Sequence, residues 1–306
     1  MKIAFFSEAG YSGKVSRDNP NMRTDVAWVC ALDAVHHPIV HLPSMKDNEY
    51  DVGVMILPKN RKPLLDLSIL EEYKRVCKKV TIMQESYYNY WQDSSIEEQI
   101  WYFNFIIKMD LLFCHNDVDL KYYNGLTNVR TELLPSVMIT DGIVPRNEWS
   151  DAVVIGGNFV WAYGGFDSYQ VARELTDDVH AVTTGRMKKE EEQVLKHIPW
   201  MLWREWIDTL SQFNVGVQLG TASAGTFNLN CSFHGIPCIG YSNVNTQKIL
   251  HPRTTVEVGD IGKAKVIANM LRDDKHFYDE CMKETMENYK KYYTEDKFVE
   301  HTLKIM

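Results

Sequence analysis

The sequence has 306 residues, of which 45% are hydrophobic and 24% are charged. These proportions are typical of a globular protein, and they exclude a disordered, collagen-like or coiled-coil chain. Because the length is about twice that of an average domain, we expect two domains. The 33 basic and 41 acidic residues give a net charge of −8, so composition does not indicate a basic nucleic-acid-binding domain.

The N-terminal segment lacks the basic region, the long apolar core and the cleavage site of a signal peptide. No apolar run reaches the roughly 20 residues that span a bilayer. The six cysteines form no CxxC pair and mostly lie in apolar runs, which predicts reduced core thiols rather than disulfides or metal ligands. We therefore expect a cytoplasmic protein without a membrane span.

In the first half of the chain, short apolar runs alternate with helical patterns. The predicted strands are Lys2–Ser7, Pro38–Leu42, Val52–Leu57, Val80–Met83 and Leu111–Cys114. The predicted helices are Thr24–Val35, Leu64–Val76 and Ser95–Met109. Continuous apolar strands separated by helices indicate a parallel sheet that is covered on both faces.

The alternation stops at residues 134–151, which contain two prolines and no helical period, and we predict that this segment connects two domains. Further strands are predicted at Ala152–Ile155, His180–Thr184, Val215–Leu219, Pro237–Gly240 and Thr254–Val258. Helices are predicted at Phe166–Leu175, Pro199–Gln212, Ala224–His234 and Ile261–Arg272. The predicted fold class is α/β, with two Rossmann-like doubly wound domains (1–148 and 149–274) facing a cleft, and a C-terminal helical tail (275–306).

The most informative segment is GVQLGTASAGTFNLNCSFHGIPCIGYSN, residues 216–243. A strand is predicted to end near Leu219, and a loop of small residues leads into a helix that ends near His234. Small residues allow a ligand to approach the backbone, and the amides and dipole at a helix start favour an anion such as a diphosphate. Thr221, Ser223 and Thr226 would add hydroxyl donors. A helix start that binds no ligand is the alternative interpretation.

This order of strand, small-residue loop, helix and Gly-Ile-Pro-Cys-Ile-Gly resembles the donor-binding core of GT-B glycosyltransferases. The stretches 247–252 and 256–260 also fit the C-terminal half of that family. The resemblance implies that residues 149–274 bind the donor, that residues 1–148 serve the acceptor, and that residues 275–306 pack back on the N-terminal domain. In many members a Glu five residues before the Gly of the Gly-x-Pro turn holds the donor ribose, and here that position is Asn230. Gly225, Thr226 and Asn230 would then contact the donor.

Two further segments of the second half face the donor in the resembling family. Gly157, in the turn after the strand at 152–155, would allow close backbone approach, although a tight turn without a ligand is equally consistent. The segment has no GxGxxG after that strand, which argues against a dinucleotide dehydrogenase. Arg186, with Lys189 as second choice, would stabilise the negative charge that develops on the leaving diphosphate. A solvated, charged helix start is the alternative for these basic residues.

Loops after strands of the first domain supply the acceptor-side candidates. Tyr11, Arg17 and Arg61 lie in two basic loops that would form a positive rim for a polyanion such as DNA, although basic loops are often only solvated. The segment 83–95 combines carboxylates with aromatic residues that bind sugars or bases. The candidate catalytic bases are Glu85, Asp93 and His115, and Trp91 is an acceptor-side candidate. An aromatic lid is the alternative for this segment.

These observations and the resemblance predict a small glycosyltransferase of phage or bacterial type. It would move a sugar from a nucleoside diphosphate donor, with a UDP-sugar favoured, to an acceptor hydroxyl on a hydroxymethylated base of phage DNA or on a surface glycan. We expect no metal and no cofactor other than the donor, and a monomer or a homodimer. A nucleotide-sugar epimerase of the same fold and a non-catalytic nucleotide- or sugar-binding protein are the alternatives.

Overall fold

The computed structural model describes residues 1–8, 12–57, 67–84, 87–88, 90–145, 150–182 and 191–306, with the backbone but not the side chain of Asp93. The chain folds into two compact units. The first unit comprises residues 1–19, 23–135 and 298–306, and the second comprises 20–22 and 136–297. The chain thus enters the second unit at Ser136, earlier than the predicted boundary after residue 148.

Six described strands form a parallel sheet in the first unit, in the order β2-β1-β3-β4-β5-β6. They are β1 (Ile3–Ser7), β2 (Val35–Pro38), β3 (Tyr50–Ile56), β4 (Cys77–Met83), β5 (Leu111–Cys114) and β6 (Thr131–Leu133). The helices are α1 (Thr24–Ala31), α2 (Ser68–Val76), α3 (Ile96–Ile106) and α4 (Asp117–Leu126), with 3-10 turns at Ile39–Ser44 and Tyr90–Asp93. Every residue of β1 and β5 is buried, because helices cover both faces of a parallel sheet.

Strand β2 lies earlier in the chain than predicted. Helix α1 was expected to reach Val35, but it ends at Ala31, and Asp33 adopts a left-handed conformation with φ of 47° that turns the chain. This turn frees Val35 to begin β2, which pairs with β1 as far as Pro38. The predicted strand Pro38–Leu42 is therefore wrong, since Ile39–Ser44 forms a 3-10 helix after the proline.

The second unit contains a parallel sheet with the strand order β12-β11-β10-β7-β8-β9 among its described residues. The strands are β7 (Val153–Asn158), β8 (Val179–Val182), β9 (Lys196–Ile198), β10 (Val215–Gln218), β11 (Cys238–Tyr241) and β12 (Thr255–Val256). Its helices are α5 (Gly165–Leu175), α6 (Trp203–Leu210), α7 (Thr226–Phe233), α8 (Asn245–Leu250), α9 (Ile261–Asp273) and α10 (Lys275–Tyr292), with 3-10 turns at Trp161–Tyr163 and Pro252–Thr254, and the chain ends in α11 (Glu295–Ile305). Counted within this sheet, the order is 6-5-4-1-2-3, the dinucleotide-binding arrangement.

Alternate residues of β7 enter two separate cores. Val153 and Ile155 pack with residues of α5 and α9 on one face, whereas Val154 packs with Phe227 and Cys231 of α7 on the other. This alternation follows from the two-residue period of a strand. The predicted α/β class with doubly wound sheets is confirmed.

The C-terminal helices divide between the two units. Helix α10 contacts α7, α8 and α9 of the second unit, whereas residues 298–306, which comprise most of α11 and the last residue, belong to the first unit. The His301 ring contacts the Leu133 carbonyl at 3.0 Å, and the Lys79 ammonium donates to the Met306 carbonyl. Only this last segment, rather than the whole stretch from residue 275, therefore packs in the unit that contains the N-terminus.

The cysteines are free and buried: Cys30, Cys77, Cys114, Cys231, Cys238 and Cys281. Burial raises the pKa of Cys77 and of Cys281 to about 12, because a thiolate is poorly solvated in the interior. Such thiols are unreactive core residues. Among the described residues, no helix is both long and apolar enough to cross a membrane.

Candidate functional site

The candidate site lies at the carboxyl end of the second sheet, between β7 and β10. The strand order reverses direction between these two neighbours, and ligands of doubly wound sheets bind outside such a reversal. The turn Trp161–Tyr163 follows β7, and the loop 219–225 follows β10. Both loops therefore reach the same edge of the sheet, in front of the first turn of α7.

A chain of hydrogen bonds starts at the last residue of β10. The Gly225 N–H donates to Ser223 Oγ at 3.0 Å, and the Ser223 hydroxyl donates to Gln218 Oε1 at 3.0 Å. Gln218 is only 4% exposed, so its amide orientation is fixed by this bond. The Gln218 Nε2 group then faces Gly157, where it lies 3.1 Å from the position that a Cβ would occupy. No acceptor for this Nε2 group is found among the described residues.

Side chains from other segments hold the carbonyl groups of this loop. Asn243 donates to the Thr221 carbonyl at 3.0 Å, Ser136 to the Ala224 carbonyl at 2.9 Å, and Thr246 to the Gly225 carbonyl at 2.9 Å. With its carbonyls bonded in this way, the loop is fixed before any ligand arrives. A site that is ordered in advance binds its ligand at a lower entropic cost.

The first turn of α7 offers backbone donors. Gly225 is the N-cap residue, and no side chain of the described residues caps this helix. The first intrahelical bond runs from the Leu229 N–H to the Gly225 carbonyl, so the preceding N–H groups of Thr226, Phe227 and Asn228 have no acceptor within the described part of the chain. A helix start with open amides and a positive dipole end favours an anion.

The glycines at positions 157 and 225 both require left-handed backbone. Their φ angles are 74° and 78°. A Cβ at position 225 would lie 1.8 Å from Thr246 Oγ1, so neither the conformation nor the space admits a larger residue. These two glycines allow the loop backbone and the Gln218 amide to come close together.

Three solved structures are similar to this chain in overall fold. HepE from Anabaena, solved with UDP-glucose, matches with a TM-score of 0.69 and 10% identity over 100% of both chains. Sucrose-phosphate synthase from Thermosynechococcus elongatus matches with a TM-score of 0.67 and 12% identity over 100% of this chain and 98% of that one. TarM matches with a TM-score of 0.65 and 10% identity over 87% of this chain, which spans only 57% of TarM.

The chain has the GT-B fold. No protein-family model matches the sequence, and no curated protein matches it either. At identities of 8 to 12% the likeness establishes the fold alone. The loop 219–225 and α7 lie within residues 149–274, for which donor binding stays a prediction.

The predicted donor residues occupy different environments in this GT-B structure. Ser223 and Gly225 are buried within the loop network, and Thr226 lies half-buried with its hydroxyl 3.4 Å from Ser136 Oγ. Thr221 is exposed. Asn230 lies one helical turn beyond Thr226 and is 2% exposed, and its Oδ1 atom has no hydrogen-bond partner among the described residues. A ribose hydroxyl would reach this enclosed oxygen only after the side chain rotates, so the ribose role of Asn230 stays a prediction.

Several predicted residues lie outside the described part of the chain. These are Tyr11, Arg61, Glu85, Arg186 and Lys189, together with the side chain of Asp93. Their roles as acceptor-side residues, bases and diphosphate ligands stay predictions. Arg17 is described and exposed. Lys14, from the same basic loop, pairs with Asp33 at 2.5 Å, which reduces the positive charge that this loop presents.

Trp91 is corrected from an acceptor-side residue to a core residue. It is 4% exposed, its ring stacks on Tyr102 with the centroids 4.2 Å apart, and its indole N–H donates to Gln84 at 2.9 Å. One ring face and the indole N–H are thereby engaged inside the first unit. The aromatic residues at 87–91 were predicted to bind a sugar or a base because of their composition alone. Composition does not show the direction in which a ring points.

His115 follows β5 and lies against Trp28, with ring centroids 5.6 Å apart. Burial lowers its pKa to about 4, so the ring is neutral at pH 7. A neutral imidazole is the state that a general base requires. However, the ring is only 7% exposed, and neither nitrogen forms a hydrogen bond of ordinary geometry with the described residues. The catalytic role of His115 stays a prediction.

Sequence reasoning missed three polar residues of the site: Gln218, Ser136 and Thr246. A signal for Gln218 existed, because it is the one polar side chain at the end of the strand Val-Gly-Val-Gln, and strand ends were already expected to face ligands. No comparable signal marked Ser136 or Thr246, since both approach the loop from segments distant in the sequence. Among the described residues, no cluster of three or more His, Cys, Asp or Glu could hold a metal ion.

A buried histidine behind α7 makes the second unit sensitive to acid. His251 Nε2 lies 2.9 Å from the Asn228 carbonyl, and its Nδ1 accepts from the Cys238 N–H at 3.3 Å. Burial lowers the pKa of His251 from 6.5 to about 4. The stability that the neutral ring contributes is complete above pH 6.5 and is lost as the pH falls toward 4, because the unfolded chain takes up the proton first.

We therefore expect the wild-type second unit to lose about 2 kcal/mol of unfolding free energy between pH 7 and pH 5 through His251. Urea unfolding at the two pH values measures this loss. His251→Gln should be less stable at pH 7 but should show a smaller pH difference. His276→Gln, at a side chain that is 84% exposed, is the matched control and should keep the full difference. An unchanged pH difference in His251→Gln would refute the assignment.

Proposed function

We propose that this protein is a glycosyltransferase that uses a nucleoside diphosphate sugar, with a UDP-sugar as the favoured donor. The observation that carries the proposal is the set of N–H donors at the sheet edge between β7 and β10, in a chain with the GT-B fold. The solved HepE structures contain UDP, UDP with glucose, or UDP-glucose, which supports UDP as the nucleotide to test first.

The donor set suits a diphosphate rather than a sugar alone. The amides of Thr226, Phe227 and Asn228 and the Gln218 Nε2 group are all donors, whereas sugar hydroxyls also need acceptors. Transfer of the sugar breaks the bond between its anomeric carbon and the phosphate oxygen, so negative charge develops on the diphosphate. Fixed donors aimed at that charge stabilise the transition state. Arg186 or Lys189 would add a cation to this set.

The acceptor is a hydroxyl group, either on a hydroxymethylated base of DNA or on a surface glycan. The exposed Arg17 supports a polyanionic acceptor such as DNA. Lys14 lies in the same basic loop, but its ion pair with Asp33 reduces the positive charge of this loop. Transfer from labelled UDP-glucose to hydroxymethylated DNA and to oligosaccharides distinguishes these acceptors. Glu85, Asp93 and His115 are the proposed bases that would deprotonate the acceptor hydroxyl.

The first test is calorimetric titration of the full chain with UDP, GDP, CMP, NAD and UDP-glucose. We expect UDP and UDP-glucose to bind in the titration. In a separate thermal unfolding experiment they should raise the melting temperature, since a ligand that binds only the folded state stabilises it. NAD should bind far more weakly. If none of the nucleoside diphosphates binds at millimolar concentration, the proposed function is wrong.

Product analysis then separates a transferase from the two alternatives. A transferase releases UDP faster when an acceptor is present. An epimerase converts the sugar of the donor with no acceptor, and a binding protein leaves the donor intact. Either of these last two outcomes would contradict the proposed transfer while leaving the nucleotide site in place.

A further inference from the structure

Helix α3 is apolar on two opposite faces. Trp101, Tyr102, Phe105 and Ile106 are buried in the first unit. Four other large apolar side chains of this helix are exposed: Ile96 (67%), Ile100 (54%), Phe103 (40%) and Ile107 (42%). A surface helix normally carries one apolar face, and a helix that is apolar all round is normally buried. Within the part of the chain that the structure describes, nothing covers this outer apolar face of α3.

The four exposed side chains, here called the α3 stripe, form a narrow line. At about 100° per residue, positions 96, 100, 103 and 107 fall within about 60° of each other around the helix axis. Ile107 continues this line because it keeps helical backbone angles at the C-cap. The buried side chains lie on the opposite side of the axis. The stripe is thus a defined surface rather than scattered exposure.

The spacing of the stripe is self-complementary. Its intervals are four, three and four residues, so it reads the same in both directions. When two copies of α3 pack antiparallel about a two-fold axis, Ile96 lies opposite the partner's Ile107, and Ile100 lies opposite the partner's Phe103. A two-fold interface requires this property, because each patch must complement itself.

Charges beside the stripe favour the same arrangement. Glu97 and Lys108 are exposed, at opposite ends of the helix and on the same flank of the stripe. In an antiparallel pair, Glu97 lies near the partner's Lys108, so opposite charges meet at both ends. In a parallel pair, the charged flanks of the two copies would lie on opposite sides of the interface, so Glu97 and Lys108 would gain no opposite-charge partner.

We propose that the α3 stripe is a homodimer interface, with a second copy of this chain packed antiparallel on α3. Four side chains per protomer would bury far less than the roughly 800 Å² per partner of a standard interface, so we expect a weak dimer with a dissociation constant on the order of micromolar. A membrane surface is disfavoured, because helices that lie on membranes are rich in Lys and Arg on their polar side, whereas the acidic Glu97 borders this stripe.

Sedimentation velocity of the full chain between about 1 and 200 µM tests the interface. We expect a monomer–dimer equilibrium for the wild type, and at least about tenfold weaker association for Ile100→Glu and for Phe103→Glu, because each places a charge in an apolar contact. Both positions are exposed in the monomer, so melting curves should be unchanged. Val266→Glu is the matched control at a 59% exposed apolar position of α9, and it should dimerise normally.

A charge exchange tests the antiparallel direction. Lys108→Glu should weaken the dimer, and the double variant Glu97→Lys with Lys108→Glu should restore it. A wild type that stays monomeric at 200 µM would overturn the proposal, as would a dimer that both glutamate variants leave unchanged. Binding of a monomeric wild type to anionic vesicles would assign the stripe to lipid and would equally overturn it.

Discussion

Gly225→Ala is expected to abolish donor binding and to lower the stability of the second unit by about 3 kcal/mol. The new Cβ would lie 1.8 Å from Thr246 Oγ1, which is itself bonded to the Gly225 carbonyl. One of the two residues must move, and the N-cap of α7 moves with it. Because the proposed diphosphate donors are the first amides of this helix, UDP affinity should fall more than about 100-fold. Calorimetry measures the affinity, and urea unfolding measures the stability.

Gly259→Ala is the matched control for this change. Gly259 has a similar φ angle of 85°, but no heavy atom lies within 4 Å of the position that its Cβ would take. This variant should lose only the roughly 1 to 2 kcal/mol of left-handed backbone strain and should keep full UDP affinity. Equal losses of affinity in the two variants would show that the first effect reflects general destabilisation rather than the contact with Thr246.

Gln218→Glu is expected to weaken UDP binding about 100-fold and to leave uridine binding unchanged. The substitution keeps the shape of the side chain and still lets Ser223 donate to one of its oxygens. The second oxygen replaces the Nε2 group, so an acceptor with negative charge would face the diphosphate. Uridine lacks the phosphates and therefore reports on the rest of the nucleotide site. Titration of both ligands into the variant gives the comparison.

Gln212→Glu introduces the same charge at an exposed position just before β10, at the opposite edge of the sheet. It should leave both affinities unchanged. If Gln218→Glu weakened UDP and uridine equally, the amide would not face the diphosphate. If wild-type protein bound neither ligand, the proposed function would fail independently of Gln218.

The sequence predicted the scaffold of the site better than its side chains. The loop 219–225 and helix α7 were recognisable because small residues precede a helical pattern, and such a pattern is local. Gln218 was missed because it was counted as part of a strand. Thr246 belongs to α8, a six-residue helix that is too short to show a period. Ser136 lies in a segment that was interpreted only as a connection.

Burial decided the cases in which the prediction failed. Trp91 belongs to an aromatic segment that composition alone suggested for ligand binding, but its packing on Tyr102 places it in the core. Strand β2 was displaced in the prediction because the helical pattern of α1 continues past the turn at Asp33. In both cases local sequence is compatible with two outcomes, and contacts with distant residues select one of them.

The division of the last two helices between the units has a consequence for synthesis of the chain. Phe298, Thr302 and Ile305 are buried, and residues 298–306 complete the first unit. During translation, residues 1–135 therefore emerge without part of their own interior, which follows only after the second unit has been made. The first unit cannot complete its core until residues 298–306 have been synthesised. We infer that a chain stalled on the ribosome before residue 298 contains an incomplete first unit and a nearly complete second unit.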